Sequence, residues 1–424
     1  MRFFPILLLC FVPGFALAQS PRLSVEDAIA RAVRNNPRLS AAVRDMKAAR
    51  SGVRSAQALA NPNFVFTPGI TSVSGSSDEL VLSQPLELNG TRSARAGVAG
   101  AQLRVTQAQA VVELRELVFN VRAAYYQLVQ ARSQQTLAAD LLKNAEEFDG
   151  ISRRLVEAGK RPGIELAQTG IEVSRAQQQV TLADAQAAGT GAVLNTLLGL
   201  PANAPLPPLS PLTPSADAVD EPALLRQALA SRAEIASVQA TREGFQQEAR
   251  LARAEGRPDL APQIRFGSLV RGVPESSSGN GFGIGIGISL PIFDYGSRRN
   301  RIRQAEDSAR AQADRITAAQ NQVRLEVTQA VAHLRAAQSI VTNYQDGVLE
   351  RVKSLLDASQ TGFREGQTSI VAVLEVRRTY AAIQTEYLNA LISSVLARAE
   401  LERATGSVPA GLLPVTSPNK GGIK

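Results

Sequence analysis

The feature that most constrains this chain is that its second half repeats its first. Leu155-Val156-Glu157-Ala158-Gly159 corresponds to Phe363-Arg364-Glu365-Gly366 about a shared glycine 207 residues on, and Leu197-Leu198-Gly199 corresponds to Ala404-Thr405-Gly406. Ser83-Gln84-Pro85-Leu86-Glu87-Leu88-Asn89-Gly90 matches Ser289-Leu290-Pro291-Ile292-Phe293-Asp294-Tyr295-Gly296 at an offset of 206, and Asn61-Pro62-Asn63 matches Arg257-Pro258-Asp259 at 196. The second copy therefore holds about ten extra residues between those landmarks, where Gly272-Val273-Pro274-Glu275-Ser276-Ser277-Ser278-Gly279-Asn280-Gly281 reads as a loop. Two like units, one with an enlarged loop, are expected.

Between the landmarks the pattern is helical and long. The sequence holds 22 prolines, yet none falls between Leu86 and Arg161 or between Ile292 and Val408, so helix breakers are excluded there. Ala96, Leu103, Ala110, Leu117, Ala124, Ala131, Ala138 and Ala145 recur every seven residues, as do Ile302, Ala309, Ile316, Val323, Ala330, Ala337 and Tyr344. Sustained heptads make helices supercoil, and small residues in the seam bring backbones close. Composition agrees: 44% of residues are hydrophobic but only 4% aromatic, with no tryptophan, so close-packed helices suit the chain better than a bulky core.

Four stretches switch to alternation. Phe64, Phe66, Ile70 and Ser72 form one set, Leu80, Leu82 and Leu86 a second, Ile264, Phe266, Ser268 and Val270 a third. In the fourth, Phe282, Ile284, Ile286, Ile288 and Leu290 alternate with Gly281, Gly283, Gly285, Gly287 and Ser289. One face all apolar and the other all Gly and Ser fits a strand with lipid on one side and a watery lumen on the other. No later run approaches the roughly 18 apolar residues of a spanning helix, so strands must make any crossing. Four strands form two hairpins, at about 62–88 and 262–293, too few to close a barrel of at least about eight. An open edge in lipid would leave backbone groups unpaired, so several copies must share one barrel.

The ends and joints follow from composition. Arg2, the apolar run Phe3–Val12 and Ala16-Leu17-Ala18 predict a cleavable secretory leader over 1–18, holding the sole cysteine, Cys10. A mature chain beginning at Gln19 would have no thiol, hence no disulfide, thiolate metal site or cysteine nucleophile. Residues 19–210 and 221–408 are the two repeats, the Pro-rich stretch 201–222 joins them, and 409–424 is a tail expected to lack order. The net charge of +8 comes from arginines mixed with acids along helices, not from a basic run, so no nucleic acid is expected.

Sites for chemistry are missing from the pattern. His333, the one histidine, has no acidic or thiol partner at ligand spacing, and beyond Met1 only Met46 supplies a thioether. Gly281–Gly287 lacks the Lys-Ser/Thr of a phosphate loop. No nucleophile, base and orienter fall at a spacing that suggests an enzyme. No cofactor and no bound metal are expected.

Two repeats of hairpin and paired long helices, with Gln84-Pro85-Leu86 and Leu290-Pro291-Ile292-Phe293 where strand gives way to helix, resemble the TolC-like outer-membrane factor family of outer membrane efflux proteins. The run Ser83–Gly90 with Arg92 resembles the branch serving cobalt, zinc and cadmium efflux. The resemblance implies a mainly α fold with a small β part: a homotrimer with a shared twelve-strand β-barrel in the outer membrane and an α-helical tunnel in the periplasm. It implies a passive exit duct of a tripartite efflux or secretion system, docked to a periplasmic adaptor (a membrane fusion protein) and an inner-membrane pump of the RND type, with heavy-metal cations as one cargo class. The Pro-rich joint would then lie on the tunnel's outer waist. A periplasmic adaptor would show a single helical hairpin beside lipoyl-like sequence, and a secreted coiled-coil rod would lack the alternating strands; these are the rival readings.

The same resemblance assigns positions. Pro85 and Gly90, with Pro291 and Gly296, mark the strand-to-helix junctions. The glycine turns at Gly159 and at Gly366, Thr368 and Ser369 would be the periplasmic tips, where the tunnel closes and the adaptor touches. Where the family carries two acids one helical turn apart after the second turn, this chain has Ala372 and Glu375. Glu375 is therefore expected to ring the constriction, with Glu165 of the first copy as the other candidate.

Overall fold

A computed structural model of the protein describes residues 22–68, 79–210, 212, 219–267 and 281–407. The expected leader, the tail, most of the enlarged loop, and the alternating positions Ile70, Ser72, Ser268 and Val270 lie outside the described residues. The first repeat runs α1 (Val25–Asn35), α2 (Pro37–Gln57), β1 (Asn63–Thr67), β2 (Glu79–Ser83), α3 (Thr91–Glu157) and α4 (Gly163–Leu197). The second runs α5 (Glu221–Ser231), α6 (Ala233–Ala254), β3 (Asp259–Gly267), β4 (Gly281–Ser289), α7 (Ser297–Asn343), α8 (Leu349–Arg364) and α9 (Ile370–Ala404). Each element of the first copy has its counterpart in the second, α3 answering to α7 plus α8.

The 67 residues of α3 carry the chain about 100 Å at ~1.5 Å per residue. Of its expected seam, Ala110, Leu117, Ala124, Ala131 and Ala138 are buried, while Ala96, Leu103 and Ala145 are half-buried. A second seven-residue series, Ala94, Ala101, Ala108 and Arg115, is buried as well, because α3 packs α2 and α4 and also α6 of the other repeat. In α7, Ala309, Val323, Ala330 and Ala337 are buried, while Ile302 and Ile316, with Tyr344 just past the helix end, are half-buried.

The helical run expected between the landmarks at Gly296 and Gly366 is interrupted: it breaks at Tyr344–Val348, where Asp346 has ψ 40° and Gly347 φ 104°. Proline is not needed to interrupt a helix when glycine supplies a left-handed residue.

Two cores lie at the level where α1 and α5 pack. Tyr125 anchors the first: its hydroxyl donates to the Leu23 carbonyl at 2.8 Å and accepts from Ser210 N–H at 3.0 Å, tying the front of the Pro-rich joint to α3. The second gathers Ile235, Val327, Val331, Leu334 and Leu401 from α6, α7 and α9. Between them runs an ion network that joins the repeats. Arg115 of α3 donates to Glu234 at 2.9 Å, and Arg232 donates to Glu234 at 3.0 Å, to Glu326 at 2.8 Å and to the Ala404 carbonyl at 2.8 Å.

Candidate functional site

The strands form one antiparallel sheet in the order β1-β2-β3-β4, so β2 and β3 join the two repeats and β1 and β4 are open edges. Register puts Phe64 across from Leu82, Leu82 from Ile264 and Ile264 from Ile284; one step along, Phe66, Leu80, Phe266 and Phe282 align likewise. Because side chains alternate, all of these share one face, which Ile286 and Ile288 extend. Among the described residues no element packs on that face: Phe64 is 66% exposed and Ile284 77%. Apolar side chains left that open across four strands fit a lipid boundary and not a core.

The opposite face is smaller and more polar. The Gln263 side chain lies across Gly285 and Gly287, 3.4 and 3.6 Å from where a Cβ would stand, so the glycines leave room for it. Arg265 pairs with Glu79 at 3.0 Å on the same face, near the ends of the strands away from the helices.

Both junctions turn through a left-handed glycine that starts the long helix: Gly90 at φ 92° and Gly296 at φ 83°. Past β2 the ladder continues, with Gln84 and Leu86 N–H donating to the Pro262 and Leu260 carbonyls at 3.0 Å, while Pro85, which has no N–H, falls between them. Glu87 turns at φ 48°, and Arg95 holds its carboxylate at 2.6 Å while donating to the Ala56 and Ala58 carbonyls at 3.1 and 3.0 Å. Pro291 precedes the second turn, where Asp294 accepts from Gly296 N–H at 3.1 Å.

At the far end the two helical hairpins close on each other. Gly159 (φ 69°) and Gly366 (φ 81°) end α3 and α8 in the same way, the next N–H reaching back to the Leu155 and Gly362 carbonyls at 2.9 and 2.7 Å. Ser369 caps α9 by accepting from Ala372 N–H at 3.3 Å, and the Thr368 carbonyl accepts from Arg161 at 3.4 Å. Phe148 and Phe363 stack 5.0 Å apart, with the Arg377 guanidinium 4.3 Å over Phe148 and that of Arg161 4.9 Å over Phe363. Burial pushes the Arg377 guanidinium below its ordinary value, and its donor bond to the Asn144 carbonyl spans 2.9 Å. Arg378 of α9 is ion-paired with Glu172 of α4. Heptads alone did not reveal this arginine and phenylalanine clasp, although the Arg377-Arg378 pair was visible in the sequence.

The two acids named for the constriction sit in different surroundings. The Glu375 side chain is 72% exposed, with Arg378 at 4.0 Å. Glu165 is buried, 3.6 Å from Arg161, with Oε2 making no hydrogen bond. His333 is exposed and, against expectation, has an acidic neighbour: Nδ1 lies 3.5 Å from Glu400 of α9, a helix the local spacing could not bring into view. Among the described residues no group of three or more His, Cys, Asp or Glu could hold a metal ion, and no helix is long and apolar enough to cross a membrane.

Known proteins share this plan. The cobalt-zinc-cadmium resistance protein CzcC of Cupriavidus metallidurans is 26% identical over 416 residues, 93% of this chain and 96% of its own length. The pyoverdine export outer membrane protein OpmQ of Pseudomonas aeruginosa is 25% identical over 70% of this chain and 62% of its own. Among solved structures, the outer-membrane channel OprN matches with a TM-score of 0.76 at 19% identity, covering 92% of this chain and 91% of OprN. CusC matches at 0.75 and 18%, covering 93% and 96%. The resemblance drawn from the sequence stands, and with it the mainly α fold, the outer-membrane location and the role of an efflux duct that is no enzyme. The adaptor and the coiled-coil rod fall, since the hairpin and long helices are duplicated together. A sequence model described as outer membrane efflux protein matches residues 28–200 and 224–407, and the chain belongs to that family.

Proposed function

We propose that three copies of this chain close one twelve-strand barrel and one helical tube, forming the exit duct of a tripartite efflux system that carries heavy-metal cations. The observation that carries the reading is the four-stranded sheet with one bare apolar face and two open edges, β1 and β4. Edges in lipid cost several kcal/mol per unpaired group, and a cyclic trimer removes them by pairing β4 of each copy with β1 of the next. The periplasmic adaptor docks at the tips around Gly159 and Gly366, and an inner-membrane RND pump loads the tube. Support for the cargo is the near full-length likeness to a protein named for cobalt, zinc and cadmium resistance. The ring of acids at the tip would come from Glu375, since Glu165 is spent inside its own protomer.

The test is reconstitution of the purified full chain. Trimer mass in detergent by light scattering and stepwise conductance in planar bilayers are expected. A monomer that conducts alone would overturn the shared barrel. Deletion of the gene in its host should raise sensitivity to cobalt, zinc or cadmium salts; unchanged sensitivity to all three, with drug or siderophore export impaired, would overturn the cargo.

A further inference from the structure

Four helices make a row below the sheet: α2 packs on α3, α3 on α6 and α6 on α7, so α2 and α7 stand at its two ends. The duplication makes α6 the counterpart of α2, at an offset of 196, and α7 the counterpart of α3, at 206. The seam between α3 and α6 is therefore a template for the seam that α7 of one copy makes with α2 of the next, if the tube closes as proposed above.

Inside the protomer small residues line the closest approach of that template, beside the Arg104–Glu243 pair. A Cβ at Gly244 would stand 3.5 Å from the Ala101 Cβ, and Ala108 and Ala240, both buried, come next along the same line. Carried across the repeat, Ala101 and Ala108 become Asp307 and Asp314 of α7, while Gly244 and Ala240 become Ala48 and Arg44 of α2. All four are exposed in the single chain. Arg104, which pairs with Glu243 in the template, becomes Arg310, and Glu243 becomes Lys47. Arg310 already holds Asp307 at 2.9 Å, so Asp307 would lie between Arg310 and Lys47 and screen them from each other.

Charge sets α2 apart from its own counterpart, α6. Along α2, Arg38, Arg44, Lys47, Arg50 and Arg54 face a single acid, Asp45, whereas in α6 Arg242, Arg250 and Arg253 are balanced by Glu234, Glu243 and Glu248. Arg44, Lys47 and Asp314 form no ion pair among the described residues. We propose that this basic face of α2 docks on Asp307 and Asp314 of α7 in a second copy of this chain, so that charged side chains of the ring's subunits meet at the positions that Ala101, Ala108 and Ala240 fill within a subunit. Opposite charges at these facing positions favour head-to-tail closure and disfavour the pairing of two basic α2 helices.

Two variants test this. Cβ atoms about 3.5–4.5 Å apart form disulfides, so Ala48→Cys with Asp307→Cys, in a Cys10→Ser background, should oxidise to a covalent trimer on non-reducing gels, and neither single variant should. Asp314→Arg should lower the trimer's dissociation temperature and Arg44→Asp added to it should restore that temperature. A particle of trimer mass by light scattering that neither cross-links nor responds to Asp314→Arg would overturn the charged seam while leaving the closed tube standing. A wild-type particle of monomer mass would overturn both.

Discussion

Arg378 of α9 holds the carboxylate of Glu172 on α4, and so ties the last helical hairpin of the second repeat to that of the first across the tip. Glu172 also accepts from Arg175 at 2.9 Å, and Arg377, next in sequence, reaches the Asn144 carbonyl on α3. The α8–α9 hairpin is thereby held against α3 and α4 by exposed ion pairs around a small aromatic core. A tube that closes here would open by parting these contacts.

Replacing Arg378 by serine removes the cross-repeat pair and leaves the Phe148–Phe363 contact in place. An exposed pair contributes about 0.5–1 kcal/mol, so the opening equilibrium should shift roughly two- to fivefold toward the open tube. Single-channel recording in planar bilayers should show more time at high conductance, and Glu172→Gln should reproduce the effect. Identical gating in both variants would mean that the pair does not hold the tip shut.

The Glu234 carboxyl behaves differently because it is half-buried between two arginines. Burial alone would push it up, but hydrogen bonds from Arg115 and Arg232, with the charge of Arg115, bring it down to about 2. A carboxyl lower in the folded than in the unfolded chain adds stability above the unfolded value, near 4.5, and loses it as pH falls toward 2. Glu234→Gln should therefore destabilise the protein at pH 7 by about 2–3 kcal/mol, less than for a fully buried pair because the side chain is partly exposed. Thermal melts from pH 7 downward should show the gap between wild type and variant closing below about pH 4.5.

The two repeats were legible because their signals are local: glycine turns, proline exclusion and alternation each act within a few residues. The break at Gly347 was not, and the reason is visible in the first copy. Asp149-Gly150 is the same dipeptide as Asp346-Gly347, yet it stays helical inside α3, where Phe148 and Ile151 pack into the tip and Thr169 donates to Asp149 at 2.6 Å. Around Gly347 the partners are the exposed Tyr344–Glu386 and Gln345–Tyr387 contacts, at 2.8 and 3.2 Å. Tertiary packing decides between helix and turn for such a dipeptide, and no local pattern carries it. The same limit hid the Glu400 neighbour of His333 and the burial of Glu165, both set by helices distant in sequence.

Glu375 is the residue on which we propose that the tip's selectivity turns. It lies six residues past Ser369, the cap of α9, on a side chain that projects into solvent in the single chain, and Arg378 beside it is engaged by Glu172. In a threefold tube it would place three carboxylates around the axis, and a ring of acids raises the local concentration of cations in a narrow pore. The position one turn earlier is Ala372, so no second ring reinforces it. Glu375→Gln should then lower the cation-over-anion permeability ratio a few-fold and weaken block by multivalent cations, while leaving trimer mass and insertion unchanged. Glu165→Gln should leave selectivity as it is and instead loosen the tip, since its carboxylate faces Arg161 and not water. Reversal potentials under a salt gradient distinguish the two: a shift confined to the Glu375 variant is expected. A shift in the Glu165 variant alone would move the constriction to the first repeat.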